Sequence, residues 1–441
     1  MTGVDLVTVI LFAALLVAVL LLADRAGKAL NLSAEVRRKI VHVGLGLSVL
    51  TLPFLFDTVL PVILLCGVSI AILIAARRSP RLGAALHGVG RTSWGEVYFA
   101  ISVAVLFVLQ AVGGRARDTA LDVGADPAIF FVIPIAVMTL ADTAAALAGT
   151  EYGKRIFPVE KGTKSLEGAV AFFVVTWLVS IILLLLFTDI PRDTIIALSG
   201  FVALVGATIE IESWAGLDNL FVPLGLHVIL VAMAPAGLVP IVGVAALYAL
   251  AVALGFRIAR AQDVEQQPLR AAILLLVVVL LAFDPLSAAL LAVVVFATIM
   301  ANRMARQVEA YADLHAIFAV IAIGIFWMVL GTVTDRNLIL HFTLTVTAYG
   351  AGMAALALVR HALWRIAAVA AFSALVATRI AIDPLDPPEM ALLLVFALGA
   401  IVLIAGACVL RPASFARHRA AKLATLSLAA SLPPAFFGAI Q

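Results

Sequence analysis

The chain has 441 residues, 64% of them hydrophobic and 12% charged, with a formal net charge of +3. Soluble globular chains carry about 45–50% apolar and about 25% charged residues, so this composition excludes a soluble domain of any size. Basic residues confined to short stretches between apolar runs exclude nucleic-acid binding and form the pattern that sets membrane orientation.

The apolar run at 5–23 can cross a hydrocarbon layer, which takes roughly 20 residues. It lacks the basic n-region of a signal peptide and is followed directly by further apolar runs, so it reads as a first membrane helix. Breaks at charged or Pro/Gly-rich stretches predict further helix cores near 41–57, 60–76, 96–112, 128–149, 167–188, 194–212, 222–236, 239–256, 271–284, 286–300, 315–334, 338–358, 363–382 and 389–410. The expected fold class is therefore all-α, a polytopic transmembrane helical bundle of about fifteen spans. The pair 271–284 and 286–300 is short enough to be re-entrant. Cys66 and Cys408 lie inside apolar runs and read as small apolar filler.

Basic residues follow alternate helices: Arg25 to Lys39 after the first, Arg77 to Arg91 after the third, Lys154 to Lys164 after the fifth, Arg257 to Arg270 after the ninth. The series continues through Arg303 and Arg306, Arg360 and Arg365, and Arg411 to Lys422, while the intervening loops are short or acidic, as at 189–193 and 383–389. This alternation predicts an outward N-terminus and a cytoplasmic C-terminus. The tail, 411–441, begins as a basic amphipathic stretch and is expected on the cytoplasmic face of the membrane.

Against plain Leu/Val/Ala helices, polar residues stand out. Asp142 lies well inside its helix, roughly 13 Å of rise from the inner end; an ionisable group at that depth is costly and marks either a site or a paired packing residue. Ala145, Ala146, Gly149 and Gly153 leave one face bare for a neighbouring helix or a ligand. Lys154, Lys161 and Lys164 then supply positive charge, Gly153 and Gly162 permit close backbone approach, and Thr163 and Ser165 precede a helix opened by Glu167 and Gly168. Acids and lysines this close to a helix start suit a phosphate-plus-divalent-metal site; the competing reading is a cytoplasmic loop made basic by topology alone. Further polar groups, His42, Glu210, Glu212, Asp218 and Asn219, fall on the same predicted side, where a site would meet both a soluble nucleotide and a lipid. No HxH or HExxH spacing occurs among the histidines, which argues against zinc.

The segments 37-RRKIVHVGLG-46, 141-ADTAAALAGTEYGK-154, 164-KSLEG-168 and 207-ATIEIESWAGLDNLFVPL-224 resemble the polyprenol kinase family, which includes dolichol kinase and phytol kinase and is related to membrane phosphatidate cytidylyltransferases. The family's elements fall on Arg38, Lys39 and His42; on Asp142, Thr143, Ala146, Gly149, Gly153 and Lys154; on Lys164, Ser165, Glu167 and Gly168; and on Glu210, Leu217, Asp218, Asn219 and Pro223. The resemblance implies a membrane enzyme that transfers the terminal phosphoryl group of CTP to an isoprenoid alcohol drawn from the bilayer, with Mg²⁺. On that basis Asp142, Glu167, Glu210 and Asp218 are expected to hold the metal. Arg38, Lys39, Thr143, Gly149, Gly153, Lys154, Lys161, Ser165, Gly168 and Asn219 are expected around the nucleotide. Asp142, Glu167, His42 and Lys164 are expected to serve the chemistry, with His42 or an acid assisting alcohol deprotonation.

The resemblance ends near residue 256, which predicts a catalytic domain at 1–256 and an additional helical domain of unassigned role at 257–441. A cytidylyltransferase acting on a lipid phosphate would reuse the same cation and lysines and is the same-class alternative. A secondary transporter is the different-class alternative; the absence of an inverted repeat and the gathering of polar groups toward one face weigh against it. Short loops, high alanine content and no organelle-targeting stretch point to a bacterial inner membrane.

Overall fold

The computed structural model describes residues 3–78, 94–159, 162–262, 266–304, 311–358 and 361–437. They form two units, Met1–Ala249 and Leu250–Gln441, each built almost wholly of helices. Every helix core expected from the sequence falls on a helix. Ten helices among the described residues are long and apolar enough to cross a membrane, and five further apolar helices are shorter, so the expected fifteen spans are not all of full length. The chain is a multi-pass membrane protein.

The first unit runs through α1 (Gly3–Ala29), α2 (Ala34–Val49), α3 (Leu52–Leu55), α4 (Val59–Arg78), α5 (Gly95–Val112), α6 (Gly114–Asp122) and α7 (Ile129–Tyr152). A two-stranded antiparallel hairpin, β1 (Ile156–Val159) and β2 (Gly162–Ser165), leads into α8 (Leu166–Phe187), α9 (Arg192–Glu212) and α10 (Asp218–Met233). The unit boundary falls within α11 (Leu238–Gln262). The hairpin corrects the expectation of an irregular loop in an all-helical chain. Ile156 pairs with Ser165 and Phe157 with Lys164, and the Leu166 N–H donates to the Arg155 carbonyl, closing the hairpin onto the start of α8.

Phe107, Phe130, Phe131, Ile133, Phe172 and Phe201 pack the interior of this unit. On α8, by contrast, Val170, Val174, Leu178, Ile182 and Leu186 are all exposed at four-residue intervals. Such an apolar stripe is intolerable in water and natural against lipid. Two crossings depend on missing side chains. At the first, a Cβ on Gly149 would stand 2.9 Å from Ser165 Oγ, and one on Gly168 would stand 2.9 Å from the Ala145 carbonyl oxygen. The bare face of α7 is thus filled by α8. At the second, a Cβ on Gly46 would stand 2.6 Å from Thr139 Cγ2, so α2 reaches α7 only because residue 46 is glycine.

Gly46→Ala is therefore expected to destabilise the first unit by about 1–3 kcal/mol, the usual cost of overpacking. Thermal unfolding in detergent should show the loss, and Thr139→Gly in the same chain should recover most of it. An unchanged midpoint for Gly46→Ala alone would contradict the close crossing.

In the second unit α12 (Gln266–Ala282), α13 (Pro285–Met304), α14 (Ala312–Thr334), α16 (Ala362–Ile382) and α17 (Pro387–Leu410) accompany α15 (Ile339–Ala357), which is buried along almost its whole length. Gly350 and Gly352 let neighbours close on α15: a Cβ at 352 would stand 2.7 Å from Ile404 Cγ2. After a 3₁₀ turn at Pro412–Phe415, α18 (Arg419–Ser431) and α19 (Pro433–Phe437) are the last elements among the described residues. The basic residues of the tail, Arg411, Arg417, His418 and Lys422, are exposed, while one face of α18 packs inward. Ala420, Leu423, Ala424 and Ser427 of α18 are buried against α14, α15 and α17, and the Arg336 guanidinium donates to the Ala435 carbonyl at 2.8 Å. The alternation that read as amphipathic is the inward face of a packed helix. The buried Arg379 side chain pairs with Asp284 and Asp383.

Candidate active site

Spacing on α2 puts Lys39, His42 and Gly46 on one helical face, at i, i+3 and i+7. With Gly46 seated on Thr139, that face meets α7 one and two turns away, and Lys39 Nζ donates to Asp142 Oδ2 at 2.6 Å. The Lys39 side chain is only 4% exposed. His42 Nε2 lies 3.2 Å from the Met138 carbonyl oxygen and 3.5 Å from Asp142 Oδ2, and its ring packs against Phe99 at 5.6 Å between centroids.

From the other side, β2 delivers Lys164. Its ammonium donates to Glu210 Oε1 at 2.6 Å and to the Glu210 carbonyl, and stands 3.8 Å from Asp218 Oδ2. Burial alone would lower the Lys164 pKa, but the Glu210 and Asp218 carboxylates beside it hold it above the ordinary lysine value. Glu210 sits near the end of α9 and Asp218 at the start of α10, and the connecting turn brings them together. Ala215 and Gly216 there adopt positive φ, +54° and +88°; Gly216 is the residue type such a turn needs. Asn219 locks the far side, its backbone N–H and its amide both donating to Asp218 Oδ1, at 3.1 and 3.3 Å.

Asp142, Glu210 and Asp218 thus converge, with ligand atoms all within 4.8 Å of one another. Lys39 engages Asp142 Oδ2 and Lys164 engages Glu210 Oε1, while Asp218 has Oδ1 bonded by Asn219 and Oδ2 facing Lys164. Glu210 Oε2 is buried and has no hydrogen-bond partner. Three carboxyl groups face two lysines, so acidic groups outnumber the cations that pair with them. That donor set, all hard oxygen with one orphaned buried atom, fits a divalent cation.

The other expected residues fall elsewhere. Glu167 is not part of the acidic cluster; its carboxylate accepts from the Arg155 N–H at 3.3 Å and ties the hairpin to α8. Ser165 caps α8, its Oγ accepting from the Gly168 N–H, and Thr143 Oγ1 donates to the Thr139 carbonyl within α7. Gly149, Gly153 and Gly168 lie at the α7–α8 crossing. Arg38 and Lys154 are exposed, and Lys161 lies outside the described residues. Lys39, expected around the nucleotide, pairs with Asp142. Sequence reasoning missed Gly46 and Thr139 as the contact that lets α2 reach the site, although the i, i+3, i+7 spacing was its signal.

The fold and the site define a multi-pass membrane protein with a buried lysine–carboxylate centre between helices α2, α7, α9 and α10. Over 211 residues the chain is 35% identical to phytol kinase from Synechocystis sp., a match that covers 47% of this chain and 83% of the relative. The chain belongs to the phytol kinase family. No family model and no solved structure matches it.

Proposed function

We propose that this chain is a kinase that transfers the terminal phosphoryl group of CTP to an isoprenoid alcohol at the cytoplasmic surface of the membrane, with Mg²⁺ held by Asp142, Glu210 and Asp218. The observation that carries the reading is the meeting of these three carboxylates, from separate elements, beside Lys39 and Lys164. The likeness to phytol kinase supplies the alcohol class.

The bound cation would screen the charge of the triphosphate. Lys164 and Lys39 hold the carboxylates in place and set positive charge beside the phosphoryl oxygens. The alcohol enters from the bilayer with its hydroxyl at the helix ends. Its oxygen bonds to the terminal phosphorus as the bond to the departing CDP breaks, and its proton leaves to a site carboxylate or to solvent. Phosphoryl transfer asks mainly for alignment and charge stabilisation, and a rigid centre braced by two ion pairs provides both. Nothing about this chemistry calls on the second unit, Leu250–Gln441.

The test is transfer by the purified, detergent-solubilised chain from CTP and ATP to farnesol, phytol and a long polyprenol, with and without EDTA. Release of CDP with a phosphorylated alcohol, abolished by EDTA and restored by Mg²⁺, is the expected result. Pyrophosphate release with a lipid phosphate would replace the kinase reading by a cytidylyl transfer, and no product with any alcohol would remove it.

A further inference from the structure

We infer that His42 is a hydrogen-bond donor that positions Asp142, and is not the base that receives the alcohol proton; the inference rests on the function proposed above. A backbone carbonyl oxygen only accepts hydrogen bonds, so the ring nitrogen 3.2 Å from the Met138 carbonyl, Nε2, carries the hydrogen. The same Nε2 lies 3.5 Å from Asp142 Oδ2. The imidazole edge that faces the carboxylates therefore carries a hydrogen, bonded to the Met138 carbonyl with Asp142 Oδ2 3.5 Å away, and cannot collect a proton there.

Lys39 completes the arrangement. Its ammonium reaches the same oxygen, Asp142 Oδ2, at 2.6 Å and the Asp142 backbone carbonyl at 3.3 Å. One hydrogen bond, from Lys39, and one positive ring edge, from His42, thus bear on the same oxygen from one face of α2 and fix the carboxylate torsion. Phe99 packs on the imidazole with ring planes inclined at 57°, steadying the ring without offering it charge. Asp142 lies on an α7 turn whose approach to α2 is set by the Gly46–Thr139 contact, so ring and carboxylate are held by the same crossing.

A donor role and a base role predict different variants. The terminal amide of glutamine places an N–H where His Nε2–H stands, yet it cannot accept a proton in catalysis. His42→Gln is expected to retain kcat within roughly tenfold, whereas His42→Phe, of similar size but without the donor, loses roughly a hundredfold. Equal, severe losses in both would overturn the inference. A second readout does not depend on turnover: ¹⁵N-histidine NMR of the full-length protein in detergent, with the His42 signals assigned by their loss in His42→Gln. The inference requires the Nε2–H tautomer in the neutral ring, and an Nδ1–H tautomer would overturn it. If wild-type chain transfers no phosphoryl group but shows the Nε2–H tautomer, the kinase reading fails while the donor assignment stands.

Discussion

Asp142→Asn is expected to lower phosphoryl transfer by on the order of 10³-fold, an effect of the size seen when one preorganised charge-stabilising group is removed from a closed site. The substitution keeps the shape of the side chain and removes its charge. One of the three converging carboxylates becomes neutral, and the amide offers only one oxygen where two were present. The loss should extend to the metal. Mn²⁺, followed by its electron paramagnetic resonance signal, should bind the variant far more weakly than the wild type. Stability is also expected to fall, because the ammonium of Lys39, almost wholly buried, loses its counter-charge. Adding Lys39→Met should restore the thermal midpoint and leave transfer as low as before. Transfer within tenfold of wild type in Asp142→Asn, with unchanged Mn²⁺ binding, would take Asp142 out of the site.

How much of this was legible in the sequence follows from the range of each signal. A membrane helix announces itself by length and apolar content, so its core can be read locally, and all the expected cores fall on helices. Whether a helix such as Gln266–Ala282 spans fully is a matter of a few residues at its ends, where local signals are weakest. The hairpin at 156–165 was invisible because its strands are four residues each and carry no alternation; their pairing is held by the start of α8 and by Glu167. Glu167 shows the limit of adjacency in sequence. Sequence position puts it beside Lys164, but opening a helix turns it toward the Arg155 N–H and away from Glu210. In the tail, an amphipathic pattern reports a buried face without naming what buries it, and only the fold shows α14, α15 and α17 doing so. Asp142, Glu210 and Asp218 stand out in the sequence as ionisable groups in or beside apolar spans, and the fold brings them together. Which lysine belongs to which carboxylate required the crossing of α2 on α7, a tertiary fact that spacing on one helix only hints at.

The pairing of Lys164 with Glu210 yields the second large effect, and it separates fold from chemistry. Lys164→Met leaves the Glu210 carboxyl buried without its partner, with the Asp218 carboxylate nearby. Breaking a buried pair from one side typically costs about 3–5 kcal/mol, and chemical denaturation in detergent should show a loss of that order. Replacing both groups, in Lys164→Met with Glu210→Gln, removes the unpartnered buried carboxyl and should recover most of the stability while transfer stays near zero. Alkaline pH offers an independent check. The folded-state pKa of Lys164 is raised, so its stabilising contribution is complete below the ordinary lysine value of about 10.4 and fades as pH rises through the folded value. Wild type should therefore lose stability at the alkaline end more steeply than the double variant, which has no charge left there to lose. If Lys164→Met alone unfolds at the wild-type midpoint, the ion pair is not what holds the hairpin to α9, and the site would need a different support.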